Sequence, residues 1–105
     1  MTLEEFQKAE LRVATVTAAE KVEGSEKLLK LQLDAGEPRQ ILSGIAKQYA
    51  PDELIGKQVV IIANLEPRMM MGMESNGMLL AAHGSDGSPA ILTVERLVPD
   101  GSKIS

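Results

Sequence analysis

Cysteine is absent from this sequence of 105 residues, and Tyr and Phe occur once each without any Trp. Without cysteine there is no disulfide framework, zinc ribbon, thiol nucleophile or iron–sulfur cluster, so redox chemistry does not fix the compartment. No apolar run approaches the roughly 18–20 residues that span a bilayer, and the N-terminus is acidic, unlike a signal peptide. We therefore expect a soluble, cytoplasmic protein without membrane association.

The chain also lacks the excess of basic residues that is typical of general nucleic-acid binders. It has 11 Lys and Arg against 15 Asp and Glu, which gives a formal net charge of −4. A polyanion repels such a protein at long range. Binding to a nucleic acid would therefore need a local cluster of positive side chains.

Alternation of apolar and polar residues at period two indicates strands along most of the chain. The clearest case is Leu29, Leu31 and Leu33, each followed by a polar residue. A near-continuous β-branched run at 57–63 indicates a strand buried on both faces. The predicted strands are residues 10–22, 29–34, 39–45, 57–63, 78–82 and 90–94, with a further terminal strand at 103–104.

In addition to these strands, the sequence predicts two short helices. Thr2, followed three residues later by Glu5, has the form of a capping box and predicts a helix over residues 3–9. Acidic residues followed by Gly56 at a C′ position predict a helical turn within residues 46–56, between the third and fourth strands.

Short strands with one helical insert favour a barrel over a parallel α/β sheet. In an OB-fold, a helix between the third and fourth strands closes the bottom of the barrel, and residues 46–56 stand in that place. We therefore predict an all-β OB-fold, a five-stranded Greek-key barrel with a short N-terminal helix and a C-terminal extension. Residues 1–105 are expected to form one domain.

The sequence offers little support for catalysis. Its only histidine, His83, is followed by a Gly-rich turn at 84–88 and has no partner at a telling spacing, so an exposed turn residue is expected. That turn lacks the lysine and following helix of a phosphate-binding P-loop. The carboxylates show no metal-ligand spacing. No catalytic residue, metal or cofactor is expected.

Residues 64–78 contain five of the six methionines. Most of this segment, 64–77, has no clean period and is predicted to be a long loop with at most a short strand. Methionine is flexible and polarisable and suits surfaces that adapt to a partner. Two interpretations stay open: irregular core filler beneath a loop, or a partner-binding surface.

Four sequence blocks together carry a specific resemblance. They are residues 22–31 (VEGSEKLLKL), 39–45 (RQILSGI), 60–68 ending in Pro67-Arg68, and 75–82 (SNGMLLAA). In this order they resemble the tRNA-binding domain found at the C-terminus of bacterial methionyl-tRNA synthetases and as free-standing tRNA-binding proteins. The resemblance implies an OB barrel that is not itself an enzyme and binds tRNA by shape, with little sequence selectivity. It also implies a homodimer and the catalytic part of a synthetase as partners.

Lys30 on the wet face of the second strand and Arg39 at the start of the third are expected to reach one common surface. Met78 is either the first core residue of its strand or a contact to ribose or base. The residues expected to bind tRNA are Lys27, Lys30, Arg39, Ser43, Lys47, Asn64, Arg68, Ser75 and Met78. The expected dimer-interface residues, which could equally pack on their own barrel, are Leu3, Phe6, Leu97, Val98 and Ile104.

Two positions depart from the family pattern. Met69 stands where many relatives have a basic residue beside Pro-Arg, and Glu66 stands before Pro67 in place of a lysine. Few aromatic residues are available for base stacking, which favours recognition of the backbone. Two rival functions are an export-type chaperone or peptide-binding dimer, and a pure dimerisation module.

Overall fold

The computed structural model covers residues 1–105 and is built mainly from short strands. Its two helices are α1 (Leu3–Phe6) and α2 (Pro51–Leu54). Its strands are β1 (Leu11–Lys21), β2 (Leu29–Asp34), β3 (Pro38–Ser43), β4 (Gln58–Ile62), β5 (Arg68–Met70), β6 (Met73–Ser75), β7 (Met78–Leu79), β8 (Ala81–His83) and β9 (Pro89–Ile91). Neither helix is long and apolar enough to cross a bilayer.

Five antiparallel strands form the main sheet, in the order β3-β2-β1-β4-β7. The long β1 pairs with β4 through its first half and with β2 through its second half. A register shift between Val16 and Ala18 lies within the pairing of β1 with β2. Such a bulge strengthens the local twist and lets the sheet curl.

The curled sheet is nearly closed where β3 meets the segment between β6 and β7. The backbone N–H of Asn76 donates to the carbonyl oxygen of Gln40 at 2.7 Å. The backbone N–H of Leu42 donates to the hydroxyl of Ser75 at 3.0 Å. These contacts complete the predicted five-stranded OB barrel, which the structure confirms.

The barrel interior is one continuous cluster of 13 buried residues. Leu29, Leu31 and Leu33 all point into it from β2, as their alternation predicts. Burying one such side chain contributes about 1.5–3 kcal/mol, so this single strand supplies a large share of the stability. The expected burial of β4 on both faces is also confirmed.

Helix α2 lies between β3 and β4, in the predicted place. Leu54 at its end is 1% exposed and belongs to the core cluster. The Glu53 carboxylate accepts a hydrogen bond from the backbone N–H of Ala50 at 2.8 Å. Gly56 has φ +88°, a left-handed conformation that glycine adopts without strain and that ends the helix.

The expectation of a long loop over 64–77 is wrong, because β5 and β6 form a hairpin there. Its two turn residues, Met71 and Gly72, have φ values of 52° and 78°. Positive φ at both positions is typical of the type I′ turn that matches the twist of two-residue hairpins. The Met71 methyl group lies 3.3 Å from where a Cβ on Gly24 would stand, so the tip of the hairpin rests on the loop between β1 and β2.

Both chain ends are tied to the barrel. The predicted capping box of Thr2 and Glu5 is present, although α1 ends at Phe6 and is shorter than predicted. Near the other end, Gly101 and Ser102 exchange backbone hydrogen bonds with Val13. A bridge from Arg12 to Lys103 matches the predicted terminal strand. The predicted strand over 78–82 is interrupted at Leu80, and the last hairpin strand is Pro89–Ile91 instead of residues 90–94.

Candidate nucleic-acid interface

An open groove of about 360 Å³ runs between the end of β3, the β5–β6 hairpin and strands β7 and β8. It brings together four of the residues expected to bind tRNA, namely Ser43, Arg68, Ser75 and Met78. Its wall also includes Gly44 and Ile45, which follow β3. Four of the nine residues expected to bind tRNA therefore share one surface.

Arg68 is the only Lys or Arg side chain that lines the groove. Its side chain is exposed and forms no ion pair, and its nearest polar contact is the Met70 Sδ, 3.7 Å from one guanidinium nitrogen. Arg68 is paired in register with Ser75. Because Ser75 is hydrogen bonded to β3, the backbone that carries the Arg68 guanidinium is fixed, while its N–H donors stay free apart from the one directed at the Met70 sulfur.

Ser75 lines the groove but is 4% exposed. Its hydroxyl accepts from the Leu42 backbone and donates to the carbonyl oxygen of Gly77 at 3.4 Å. Ser75 therefore holds the hairpin against β3. Ser43, which is half-buried, makes no side-chain hydrogen bond and keeps its hydroxyl available in the groove.

Lys27 precedes β2 and Lys47 follows β3, and neither residue lines the groove. Both side chains are exposed, and neither forms an ion pair. The backbone N–H of Ala46 donates to the carbonyl oxygen of Lys27 at 2.9 Å, which ties the two segments together. Arg68 is therefore the one Lys or Arg that lines this groove, and Glu66 lines it as well.

The expectation that Lys30 and Arg39 share one surface is wrong. Lys30 pairs in register with Leu42, and Arg39 pairs with Leu33. Because successive side chains of a strand alternate between faces, Lys30 lies on the outer face and Arg39 on the inner one. Lys30 also forms an ion pair with Glu20 on the neighbouring strand.

Arg39 is engaged inside the molecule, with its side chain 13% exposed. One guanidinium nitrogen donates to the carbonyl oxygen of Ala63 at 2.8 Å and to two oxygens of Asn76, at 3.2 and 3.3 Å. The other forms an ion pair with Glu37 at 2.9 Å. Arg39 therefore joins β3 to the residues that follow β4 and β6, and few of its donors stay free for a ligand.

Asn64 is likewise occupied. Its side-chain oxygen accepts from the backbone N–H of Glu10 at 2.9 Å, and its side-chain nitrogen donates to the carbonyl oxygen of Lys8 at 2.6 Å. It thus fastens the segment between α1 and β1 to the end of β4. The structure assigns Asn64 to this anchor and not to the groove.

Met78 is 43% exposed and lines the groove, so the structure favours a contact residue over a core residue. Among the expected interface residues, Leu3 is 70% exposed and Leu97 is 81% exposed. The remaining three are half-buried: Phe6, Val98 and Ile104.

His83 is the residue of the groove that the sequence reasoning missed. Its expected exposure is confirmed, but it lies in the wall of the groove together with Pro89. The next turn is fixed by Asp86, whose carboxylate accepts from the hydroxyl and backbone N–H of Ser88 at 2.7 and 3.0 Å. These bonds, the hydroxyl first, hold the pKa of the Asp86 carboxyl below its ordinary value. Only the pairing of β8 with β9 reveals where His83 lies, and no local sequence signal marks it.

The fold and the groove define a small OB-type binding module. Residues 11–103 match the family described as a putative tRNA binding domain. The chain belongs to this family, which confirms the resemblance carried by the four sequence blocks.

Relatives include full-length enzymes. The chain is 56% identical, over its whole length, to methionine–tRNA ligase of Caldanaerobacter subterraneus subsp. tengcongensis, and covers 16% of that ligase. It is 50% identical to the corresponding ligase of Thermotoga maritima, again over its whole length, and covers 17% of it. The chain thus corresponds to a small part of these enzymes.

Two solved structures are similar in fold over nearly their full lengths. A MetRS related protein from Pyrococcus horikoshii superposes with a TM-score of 0.95 at 40% identity, over 100% of this chain and 97% of that one. The chaperone CsaA from Bacillus anthracis str. Ames superposes with a TM-score of 0.91 at 32% identity, over 100% and 98%.

Proposed function

We propose that this chain binds tRNA in the groove beside the β5–β6 hairpin, through phosphate and ribose contacts and largely independently of sequence. The observation that carries the proposal is Arg68, an exposed guanidinium without an ion pair that is fixed at the groove; Lys27 and Lys47, also exposed and without ion pairs, lie in the segments before β2 and after β3. Arginine presents a planar set of donors that matches phosphate oxygens. The Ser43 hydroxyl adds a donor and acceptor for phosphate or the ribose 2′-hydroxyl.

Backbone recognition also fits the composition of the chain. Neither Tyr49 nor Phe6 lines the groove and Trp is absent, so His83 is the only ring there that is available to stack on a base. Met78 and Met70 supply flexible apolar surface against which a ribose or a splayed base packs. The tRNA is therefore recognised by its shape.

Within a longer protein, we propose that this domain raises the affinity of a methionyl-tRNA synthetase for tRNA, while the catalytic reaction takes place elsewhere in the enzyme. The support is the match of the whole chain to about 16% of a methionine–tRNA ligase. A homodimer would present two shallow sites at fixed spacing, so that two weak contacts add to a useful affinity. Leu3 and Leu97, both highly exposed, are the leading interface residues, and the half-buried Phe6, Val98 and Ile104 are the further candidates.

The test of tRNA binding is a titration of unfractionated tRNA at low and high salt with Arg68→Ala and a matched control. Arg96→Ala is that control, because Arg96 is an exposed arginine without an ion pair and lines a different groove. We expect Arg68→Ala to weaken binding and to reduce the slope of log K against log salt by about 0.7–0.9, the value for one phosphate contact. Equal behaviour of the two variants, or no salt-sensitive binding by the wild type, would contradict the proposal.

The dimer is tested separately by measuring mass in solution for the wild type and Leu97→Asp. Leu97 is 81% exposed on one chain, so the substitution should leave the fold intact while it places a charge in the proposed interface. We expect twice the chain mass for the wild type and the chain mass for the variant. A monomeric wild type would remove the dimer from the proposal and leave the tRNA groove in place.

A second candidate function is peptide or unfolded-protein binding, as in an export-type chaperone. The observation that favours it is the exposed hairpin surface of Met69 and Met71, which are 67% and 54% exposed. The similarity to a structure described as chaperone CsaA points the same way. An apolar peptide complex responds little to salt, so the same titration with a peptide ligand separates the two functions.

A further inference from the structure

His83, the only histidine of the chain, lines the groove that we propose binds tRNA. His83 is the last residue of β8, pairs in register with Pro89, and lines the same groove as Arg68 and Ser43. Its side chain is exposed and makes no hydrogen bond or ion pair within the protein. Both ring nitrogens are therefore free to contact a ligand.

The charges around the imidazole come from two places. Across the groove, the segment before β5 contributes Glu66, and β5 contributes Arg68. On its own hairpin, Asp86 is occupied by hydrogen bonds from Ser88. The groove residues from the end of β3, from β7 and from β9 carry no ionisable side chain. No carboxylate thus forms an ion pair with His83 that would compete with an incoming phosphate.

We propose that His83 contacts a phosphate of the bound RNA, and that protonation of its imidazole strengthens binding. This inference rests on the proposed function of the groove. Histidine is the side chain that ordinarily changes charge between about pH 5 and 8. A neutral imidazole offers one N–H donor, whereas the protonated ring offers two donors and a positive charge in the groove that Arg68 also lines. Affinity for RNA should therefore rise as the solution becomes more acidic.

The composition makes this proposal easy to test. The chain has one histidine, so each His83 variant removes the only imidazole and leaves every other group of the protein in place. A difference in pH response between wild type and a His83 variant therefore belongs to the imidazole.

The experiment measures the affinity of unfractionated tRNA at about pH 6 and pH 8, at constant ionic strength, for wild type, His83→Gln and His83→Arg. We expect the wild type to bind about two- to fivefold tighter at the lower pH, the range for one exposed charge contact. Its salt slope should also steepen by about 0.7–0.9 as one more phosphate is neutralised. His83→Gln should lose this response, and His83→Arg should bind tightly at both pH values.

A second readout does not depend on affinity. The single imidazole gives one set of ring resonances in a proton NMR spectrum, and their pH titration can be followed with and without RNA. Because protonation and binding are linked, bound RNA should move the midpoint of this titration to higher pH. The backbone NMR spectrum of His83→Gln should match that of the wild type, which would show that the substitution leaves the fold unchanged.

The outcomes separate the two proposals. An equal pH response in wild type and His83→Gln, or an imidazole titration that bound RNA leaves unchanged, overturns the role of His83 while tRNA binding stands. Absence of salt-sensitive tRNA binding by the wild type at either pH overturns the proposed function, and the role of His83 with it. A pH response that is confined to proteins with the imidazole, with a shifted titration midpoint, supports both.

Discussion

The arginines found near the two ends of strand β3 have different roles. Near its start, the Arg39 guanidinium is bonded to Ala63, Asn76 and Glu37. At its end, about 13 Å along the strand, Ser43 opens onto a groove in which Arg68 has no ion pair. Both arginines belong to the sequence blocks that resemble tRNA-binding domains. A basic residue in such a block therefore holds the barrel together in one case and stays free for a ligand in the other.

The strongest test of this comparison is Arg39→Ala. The change removes an ion pair and three hydrogen bonds from a largely buried side chain and leaves the carbonyl oxygen of Ala63 without this donor. We expect the free energy of unfolding to fall by about 2–4 kcal/mol, measured by urea denaturation. The affinity of the folded fraction for tRNA should stay near that of the wild type.

Arg68→Ala is the control for this experiment, because an exposed residue without partners should change stability by no more than about 0.5 kcal/mol. The comparison fails if Arg39→Ala is as stable as the wild type and loses tRNA affinity. In that case the internal hydrogen bonds of Arg39 would be incidental and its role would be in binding.

Asn64→Ala tests a second occupied side chain. Without the amide, the backbone groups of Lys8 and Glu10 lose their anchor to the end of β4. Because Asn64 is exposed and water can replace part of the loss, we expect a cost of about 1 kcal/mol. Hydrogen exchange at the Glu10 amide should become faster while exchange in β2 is unchanged. Unchanged exchange at Glu10 with weaker tRNA binding would place Asn64 in the site instead.

Local periodicity predicts the barrel well, because side chains of a strand alternate between the core and the solvent, and this alternation is visible in a few consecutive residues. Leu29, Leu31 and Leu33 show this directly. The β5–β6 hairpin was missed because Met71 adopts a left-handed conformation that glycine or asparagine usually fills, and its methyl group packs against a loop distant in sequence. A contact with a loop distant in sequence accompanies that turn, so no local sequence pattern predicts it.

The arrangement of the candidate site is harder to predict for a related reason. Its residue types suit phosphate binding, but two of the partners that occupy Arg39 lie 24 and 37 positions away in the sequence. Whether an arginine is free depends on such long-range contacts. Resemblance to a family shows which residues recur, and the geometry shows which of them are already occupied.

Met69→Lys sharpens the contrast between the two faces of the hairpin. Met69 is 67% exposed and stands where the sequence departs from a basic residue, but its side chain lies on the face of β5 opposite to Arg68 and is paired in register with Glu74. Because Glu74 is placed to pair with the new charge, a lysine there should raise tRNA affinity by no more than about twofold. Met69→Leu is the control without added charge. A larger rise would place bound RNA on this face of the hairpin, whereas weaker binding of a hydrophobic peptide with tRNA unaffected would favour the chaperone-like function.

The smallest effect is expected at Asp86, on the hairpin at the edge of the groove. Hydrogen bonds from Ser88 hold the pKa of this carboxyl below its ordinary value of about 3.9. A lowered folded-state pKa means that the charged form stabilises the turn above the unfolded value, and that this contribution is lost as the pH falls through the folded value. Asp86→Asn should therefore lower the thermal midpoint slightly at neutral pH, and the difference from wild type should disappear in strong acid. A difference that persists there would mean that the carboxylate's charge has no part in fixing the turn beside the groove.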